Sequence, residues 1–170
     1  MQKIKAAFFD RDGTLIKDVP YLSNLGDIQI LPEATKIARI LQEQGYTLFV
    51  VTNQSGVARG FFDEQFIHRT HTYLDTQLVL HGISIKQYYY CPHHPSQALL
   101  EQYRQDCTCR KPNPGMLLTA AQDHQIDLSA SLMFGNSQTD LDAGLAAGCR
   151  AFDITSLFGL PDGQVIKFLG

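Results

Sequence analysis

The sequence predicts an α/β fold, a doubly wound, mostly parallel sheet with helices on both faces. Three observations carry this expectation. Short, dense apolar runs alternate with longer amphipathic segments, and runs that are apolar at nearly every position suit strands covered on both faces. The amphipathic segments carry apolar residues at three- and four-residue spacing and are opened or stopped by Pro and Gly. Polar clusters follow the apolar runs, where an open parallel sheet of this Rossmann-like kind places its ligands.

In chain order, residues 4–9 form a first strand that runs into a turn-rich Asp10-Arg11-Asp12-Gly13-Thr14. Pro32 opens a helix to about residue 44, with Ala34, Ile37, Ala38 and Leu41 on one face and Gly45 as its stop. Residues 46–52 form a second strand, 62 to about 81 a second helix ended by Gly82, and 83–90 a third strand. Residues 91–112 are an irregular insert rich in His, Pro and Cys. A helix at 114–125, a short strand at 131–135, a helix at 140–147 before Gly148 and a strand at 150–154 close the series. No repeat or linker-like stretch interrupts it, so residues 1–170 read as one domain without a large cap domain.

A length of 170 residues is enough to bury a core and enclose a site. The net charge of −3 argues against a nucleic-acid surface, which needs a basic excess. It leaves room for a small anionic substrate in a locally positive pocket. Residues 1–5 lead into a short apolar run with no signal-peptide pattern, and no stretch is long and apolar enough to cross a bilayer. The chain therefore reads as a cytoplasmic protein, expected to be a monomer, with Cys91, Cys107, Cys109 and Cys149 as thiols or metal ligands.

Four polar clusters fall at one rim of the expected sheet. Asp10 and Asp12, one residue apart at a strand end, can bind Mg²⁺ or divide nucleophilic and acid/base work. An Asx turn completed by Gly13 is the structural alternative; the Phe8-Phe9 strand feeding directly into the acids favours a cleft. Thr52-Asn53-Gln54-Ser55-Gly56 offers hydroxyl, amide and backbone donors that can cradle phosphate, as an ordinary loop also would. Arg110-Lys111 pairs a guanidinium fork with an ammonium before a helix start, a combination suited to phosphate although such pairs are commonly solvated surface cations. Gly135-Asn136-Ser137 is the fourth cluster.

Within the insert, Cys91-Pro92-His93 and Cys107-Thr108-Cys109 are separated by residues 94–106. Three thiolates and one imidazole complete a Zn²⁺ tetrahedron with no position left for substrate, so Cys91, His93, Cys107 and Cys109 are expected to hold a structural zinc in a loop insert at 91–109. His94 is left at the rim, Cys149 reads as a small core residue, and His68, His71, His81 and His124 receive no role.

Together these segments resemble the haloacid dehalogenase-like phosphatases. The matching pieces are Phe9-Asp10-Arg11-Asp12-Gly13-Thr14, Val51-Thr52-Asn53-Gln54, Lys111 before Pro112, and Gly135 through Asp140, within a resemblance covering roughly residues 4–150. The stretch 52–60, the Cys91-Pro92-His93-His94-Pro95 insert and Cys109 through Met116 look most like the branch acting on heptose 1,7-bisphosphate, in surface-glycan precursor synthesis. The histidinol-phosphate branch carries a similar insert. The resemblance implies Asp10 as nucleophile and Asp12 as acid/base. It implies Thr52 and Lys111 on the transferring phosphoryl group, and Asp18, Tyr21, Asn53, Gln54, Ser55 and Arg110 on the sugar or its second phosphate. Mg²⁺ would be held by Asp10, the Asp12 carbonyl and the position of Asn136.

Two departures stand out. The family usually has an acid followed by a cation where this chain has Asn136-Ser137. Asn136 can offer an oxygen without the negative charge, which predicts weaker Mg²⁺ binding, a shift of coordination onto Asp140, or a catalytically reduced phosphate-binding protein. The C-terminus is also short, implying an abbreviated final strand and helix.

Overall fold

Five strands make one parallel sheet in the order β3-β2-β1-β4-β5. They are β1 Ala6–Phe9, β2 Thr47–Asn53, β3 Ile85–Cys91, β4 Leu132–Gly135 and β5 Arg150–Asp153. The helices are α1 Pro32–Glu43, α2 Glu64–Leu78, α3 Gly115–His124, α4 Gln138–Ala147 and α5 Asp162–Leu169. This computed structural model describes residues 3–170. The expected doubly wound sheet is present, its strands formed by the apolar runs.

All four residues of β1 are fully buried. Their alternation splits the core in two. Ala7 and Phe9, with Leu48, Val50, Leu132 and Phe134, face α1, α2 and α5 through Ile37, Leu74 and Val165. Ala6 and Phe8, with Phe49, Val51 and Met133, face α3 and α4 through Leu117 and Ala143. Phe8, Phe9, Phe49 and Phe134 have no appreciable exposure, and each stabilises the fold by roughly 2–3 kcal/mol through burial alone.

Element ends depart from the sequence reading for local reasons. Ile4 makes only an isolated bridge to Ile126, so β1 starts at Ala6. Helix α2 begins after Asp63, whose side chain accepts from the Phe66 amide at 2.7 Å. It gives way to a 3-10 turn at Val79–His81 before Gly82 in the left-handed region. Helix α4 starts at Gln138, ahead of the expected Asp140, because Ser137 and Asp140 form a capping box. The abbreviated final helix, expected without bounds, is α5, eight residues long; Val165 and Leu169 dock it on the first core. No helix among the described residues is long and apolar enough to cross a membrane.

The sheet runs one way from β1 through β2 to β3 and the other way from β4 to β5. The order therefore reverses between β1 and β4, and the crevice beyond their carboxyl ends is where such folds bind ligands. The Asp10 amide donates to the Phe134 carbonyl at 2.9 Å there, closing β1 onto β4.

Candidate active site

The loop after β1 is tightly wound. The Arg11 carbonyl accepts from the amides of Thr14, Leu15 and Ile16 at 3.3, 3.0 and 3.1 Å, and the Gly13 amide donates to the Ile16 carbonyl at 2.7 Å. Gly13 sits at φ +78°, and a Cβ there would collide with the Asn136 side chain. Only glycine allows both the backbone turn and the close approach of the β4 loop.

Lys111 is the hub. It is 3 % exposed, and its Nζ lies 2.8 Å from Asp10 Oδ1, 2.7 Å from Asp140 Oδ1 and 2.8 Å from the Val51 carbonyl oxygen. An ammonium has three donors, and here each has an acceptor. Burial acts to lower the Lys111 pKa, but Asp10 and Asp140 outweigh it and the net direction is up. Asp10, also buried, is pushed up to about 6, chiefly by burial; Lys111 opposes this, and Asp140 and Asp12 add to it.

Asp12 is held separately. Its Oδ2 accepts from Gln54 Nε2 at 2.7 Å, and the same amide nitrogen donates to Thr52 Oγ1 at 2.9 Å. Arg11 pairs with the Asp12 carboxylate, Nη2 to Oδ2 at 3.0 Å. Asp12 lines a cavity of about 180 Å³ with Arg11, Asp18, Tyr21, Asn53, Gln54, Ser55 and Phe62 among its walls. Asp10 and Lys111 adjoin that lining through Arg11 and Asn53.

The structure thus gathers Asp10, Asp12, Thr52 and Lys111, and sets Asp18, Tyr21, Asn53, Gln54 and Ser55 around one cavity. Tyr21 takes a left-handed φ of 50°, and its ring packs at 4.3 Å from that of Phe61. Asn53 has a further task. Its side-chain amide donates to the Lys111 carbonyl and accepts from the Lys111 amide, each at 3.0 Å. Arg110 stands outside the cavity lining, its Nη1 at 3.3 Å from the His93 carbonyl oxygen. Asn136 is exposed, with Oδ1 at 3.5 Å from Thr14 Oγ1. Asp140, considered above as a substitute metal ligand, is otherwise engaged. Oδ1 meets Lys111, and Oδ2 accepts from the Asn136 and Ser137 amides and the Ser137 hydroxyl.

Cys91, His93, Cys107 and Cys109 converge, their ligand atoms all within 4.8 Å of one another. Cys91 Sγ lies 3.4 Å from Cys107 Sγ and 3.0 Å from Cys109 Sγ, and His93 Nδ1 lies 3.4 Å from Cys109 Sγ. The hydrogen bond between Cys91 and Cys109 is the largest influence on both thiols, drawing Cys109 down and pushing Cys91 up. Tyr103 in the insert and Tyr90 on β3 both donate to Glu64 of α2, at 2.6 and 2.5 Å, and tie this segment to the body. His94 stays out of the cluster, Nδ1 accepting from the Ser96 and Gln97 amides. Cys149 is buried in the second core.

Sequence reasoning left Arg11 without a role and gave Asp140 only that of a substitute metal ligand, missing its pairing with Lys111. The spacing of Asp140 behind Gly135 was the available signal; a Cβ at Gly135 would strike the Asp140 side chain.

Comparison with known proteins identifies relatives of the chain. A family profile described as HAD-hydrolase-like matches residues 108–156. The D-glycero-β-D-manno-heptose-1,7-bisphosphate 7-phosphatase of Photorhabdus laumondii is 43 % identical over 146 residues, covering 86 % of this chain and 77 % of that one. The enzyme of the same name from Escherichia coli K12 is 40 % identical, covering 86 % of this chain and 76 % of its own. Among solved structures, a HAD-like phosphatase from Mesorhizobium loti superposes with a TM-score of 0.86 at 29 % identity, covering 99 % and 88 % of the two chains. The D,D-heptose 1,7-bisphosphate phosphatase of B. bronchiseptica, complexed with magnesium and phosphate, gives 0.79 at 28 %, covering 97 % and 99 %. The chain belongs to the heptose-1,7-bisphosphate phosphatase family of HAD-like hydrolases.

Proposed function

We propose that this chain hydrolyses the 7-phosphate of heptose 1,7-bisphosphate through a phosphorylated Asp10, releasing heptose 1-phosphate. The observation that carries the reading is the division of labour between the acids. Asp10 is aligned by Lys111, while Asp12 is held by a different set, Gln54 and Arg11, and faces the cavity.

In the first step an Asp10 carboxylate oxygen attacks phosphorus and the bond to the sugar oxygen breaks; Asp12 gives that oxygen a proton. In the second, Asp12 takes a proton from water as the water attacks phosphorus, and Asp10 is released as carboxylate. Lys111 and Thr52 adjoin the phosphoryl group, and fixed donors there lower the cost of its developing charge.

The acids Asp10, Asp12 and Asp140 meet the cations Arg11 and Lys111, so the site retains negative charge before a phosphate enters. That balance fits a divalent cation held by Asp10, the Asp12 carbonyl and Asn136 Oδ1, and bound Mg²⁺ would supply charge neutralisation to the phosphoryl oxygens. The Cys91, His93, Cys107 and Cys109 cluster suits a structural Zn²⁺, since its ligand set is complete.

The test is steady-state phosphate release with Mg²⁺ from heptose 1,7-bisphosphate and from histidinol phosphate, on wild type and Asp10→Asn. We expect a higher kcat/KM for the heptose and no turnover by the variant. A preference for histidinol phosphate would reassign the substrate, and robust activity of Asp10→Asn would remove the covalent step.

A further inference from the structure

Arg11 lies between the two acids in the chain and is 2 % exposed, the largest fully buried side chain among the described residues. A guanidinium never sheds its proton, so this burial requires a partner. The partner is Asp12: Nε lies 3.3 and 3.2 Å from its two oxygens, and Nη2 lies 3.2 Å from Oδ1 and 3.0 Å from Oδ2. Adjacent residues in an extended chain send their side chains apart. Here the turn closed by three amides on the Arg11 carbonyl brings the two side chains together.

The two buried cations also divide three acids without sharing. Lys111 serves Asp10 and Asp140, and Arg11 serves Asp12. Within electrostatic reach of the guanidinium, His71 of α2 stacks on Tyr88 at 4.4 Å. Burial, with Arg11 next, draws His71 down to about 3, so it brings no second charge. A buried ion pair is a weak stabiliser, and apolar replacements of similar volume are commonly as stable. Stability alone is therefore a poor account of a buried arginine at the edge of a substrate cavity.

We propose that Arg11 is a positioning residue, whose planar fork, with Gln54 as the third donor, fixes the Asp12 carboxyl group where its protonated form can give a proton to the leaving oxygen and its carboxylate can then take one from the attacking water. This rests on the acid/base role given to Asp12 above. Arg11 itself makes and breaks no bond. With the fork removed, Asp12 keeps only Gln54 and can rotate, and both proton transfers suffer while attack by Asp10 does not.

That asymmetry makes the inference testable with two substrates. Heptose 1,7-bisphosphate loses an alkoxide that needs a proton, whereas p-nitrophenyl phosphate loses a phenolate that does not. Wild type, Arg11→Met, Arg11→Lys and Asp12→Asn are compared, with folding checked by circular dichroism. For Arg11→Met, kcat on the heptose should fall roughly 100-fold with KM little changed. The first-turnover release of p-nitrophenolate should stay within about threefold of wild type and appear as a burst, because the water step is now slow. Arg11→Lys keeps the charge without the fork and should show the same pattern to a smaller degree; it decides the matter alone if the Met variant does not fold. Equal losses on both substrates, or none, would overturn the role of Arg11. If Asp12→Asn itself fails to discriminate between the substrates, the acid/base reading has failed instead; if it discriminates and the Arg11 variants do not, only the Arg11 inference falls.

Discussion

Asp10→Asn is expected to stabilise the fold while abolishing turnover. Burial raises the Asp10 carboxyl from 3.8 to about 6, a figure that already includes the opposing Lys111 charge. Between those values the folded protein keeps a proton that the unfolded chain has released. Stability is therefore lost as pH rises through that window, and the loss is complete above about pH 6. At about 1.4 kcal/mol per pH unit of displacement, the ionised carboxylate opposes folding by roughly 3 kcal/mol at pH 8. Asparagine reproduces the neutral form, and Lys111 keeps Asp140 and the Val51 carbonyl as partners. The gain should be roughly 3 kcal/mol at pH 8, about half that at pH 5, and some 6–10 °C in Tm at the higher pH. The assay is thermal and urea unfolding in magnesium-free buffer without chelator, which would strip zinc. A variant no more stable than wild type at pH 8, or a gain that does not shrink at pH 5, would refute the reasoning.

Three further outcomes are expected. His71, drawn to about 3 by burial first, is neutral in the fold, so stability present above about pH 6.5 is lost as pH falls toward 3. His71→Phe should therefore lose roughly 2 kcal/mol less than wild type between pH 8 and pH 5, as read by urea unfolding at both values. Cys109→Ser should take bound zinc from about one equivalent to background by elemental analysis. Amide exchange should then speed up in residues 92–112. Asn136→Asp adds a ligand charge beside Thr14, and should lower the Mg²⁺ concentration for half-maximal activity on the order of tenfold; an unchanged titration would show that Asn136 is not a ligand.

Much of the fold was legible because β1, β2 and β4 are buried on both faces and so read as unbroken apolar runs. Phe8-Phe9 and Leu48 through Val51 needed no tertiary knowledge to be recognised. Helix α4 was started late because its first turn, Gln138-Thr139, is polar; the Ser137–Asp140 box that begins it is a side-chain device. Helix α5 was expected only as an abbreviated final helix without bounds, because eight residues are too few to be stable alone and its stability comes from docking Val165 and Leu169 on the first core.

The sequence by itself determined which residue types stand at the strand ends and which ligands can make a closed zinc site, because acid, thiol and imidazole spacings are local. Only the tertiary structure decided which charges meet. Lys111 reaches Asp10 and Asp140 from a loop far along the chain, Asn53 turns its amide to the Lys111 backbone, and Arg11 folds back on its neighbour Asp12. A buried charge must find its counterpart wherever the fold brings one within hydrogen-bond reach, and that pairing is set by the crevice between β1 and β4 rather than by spacing along the chain.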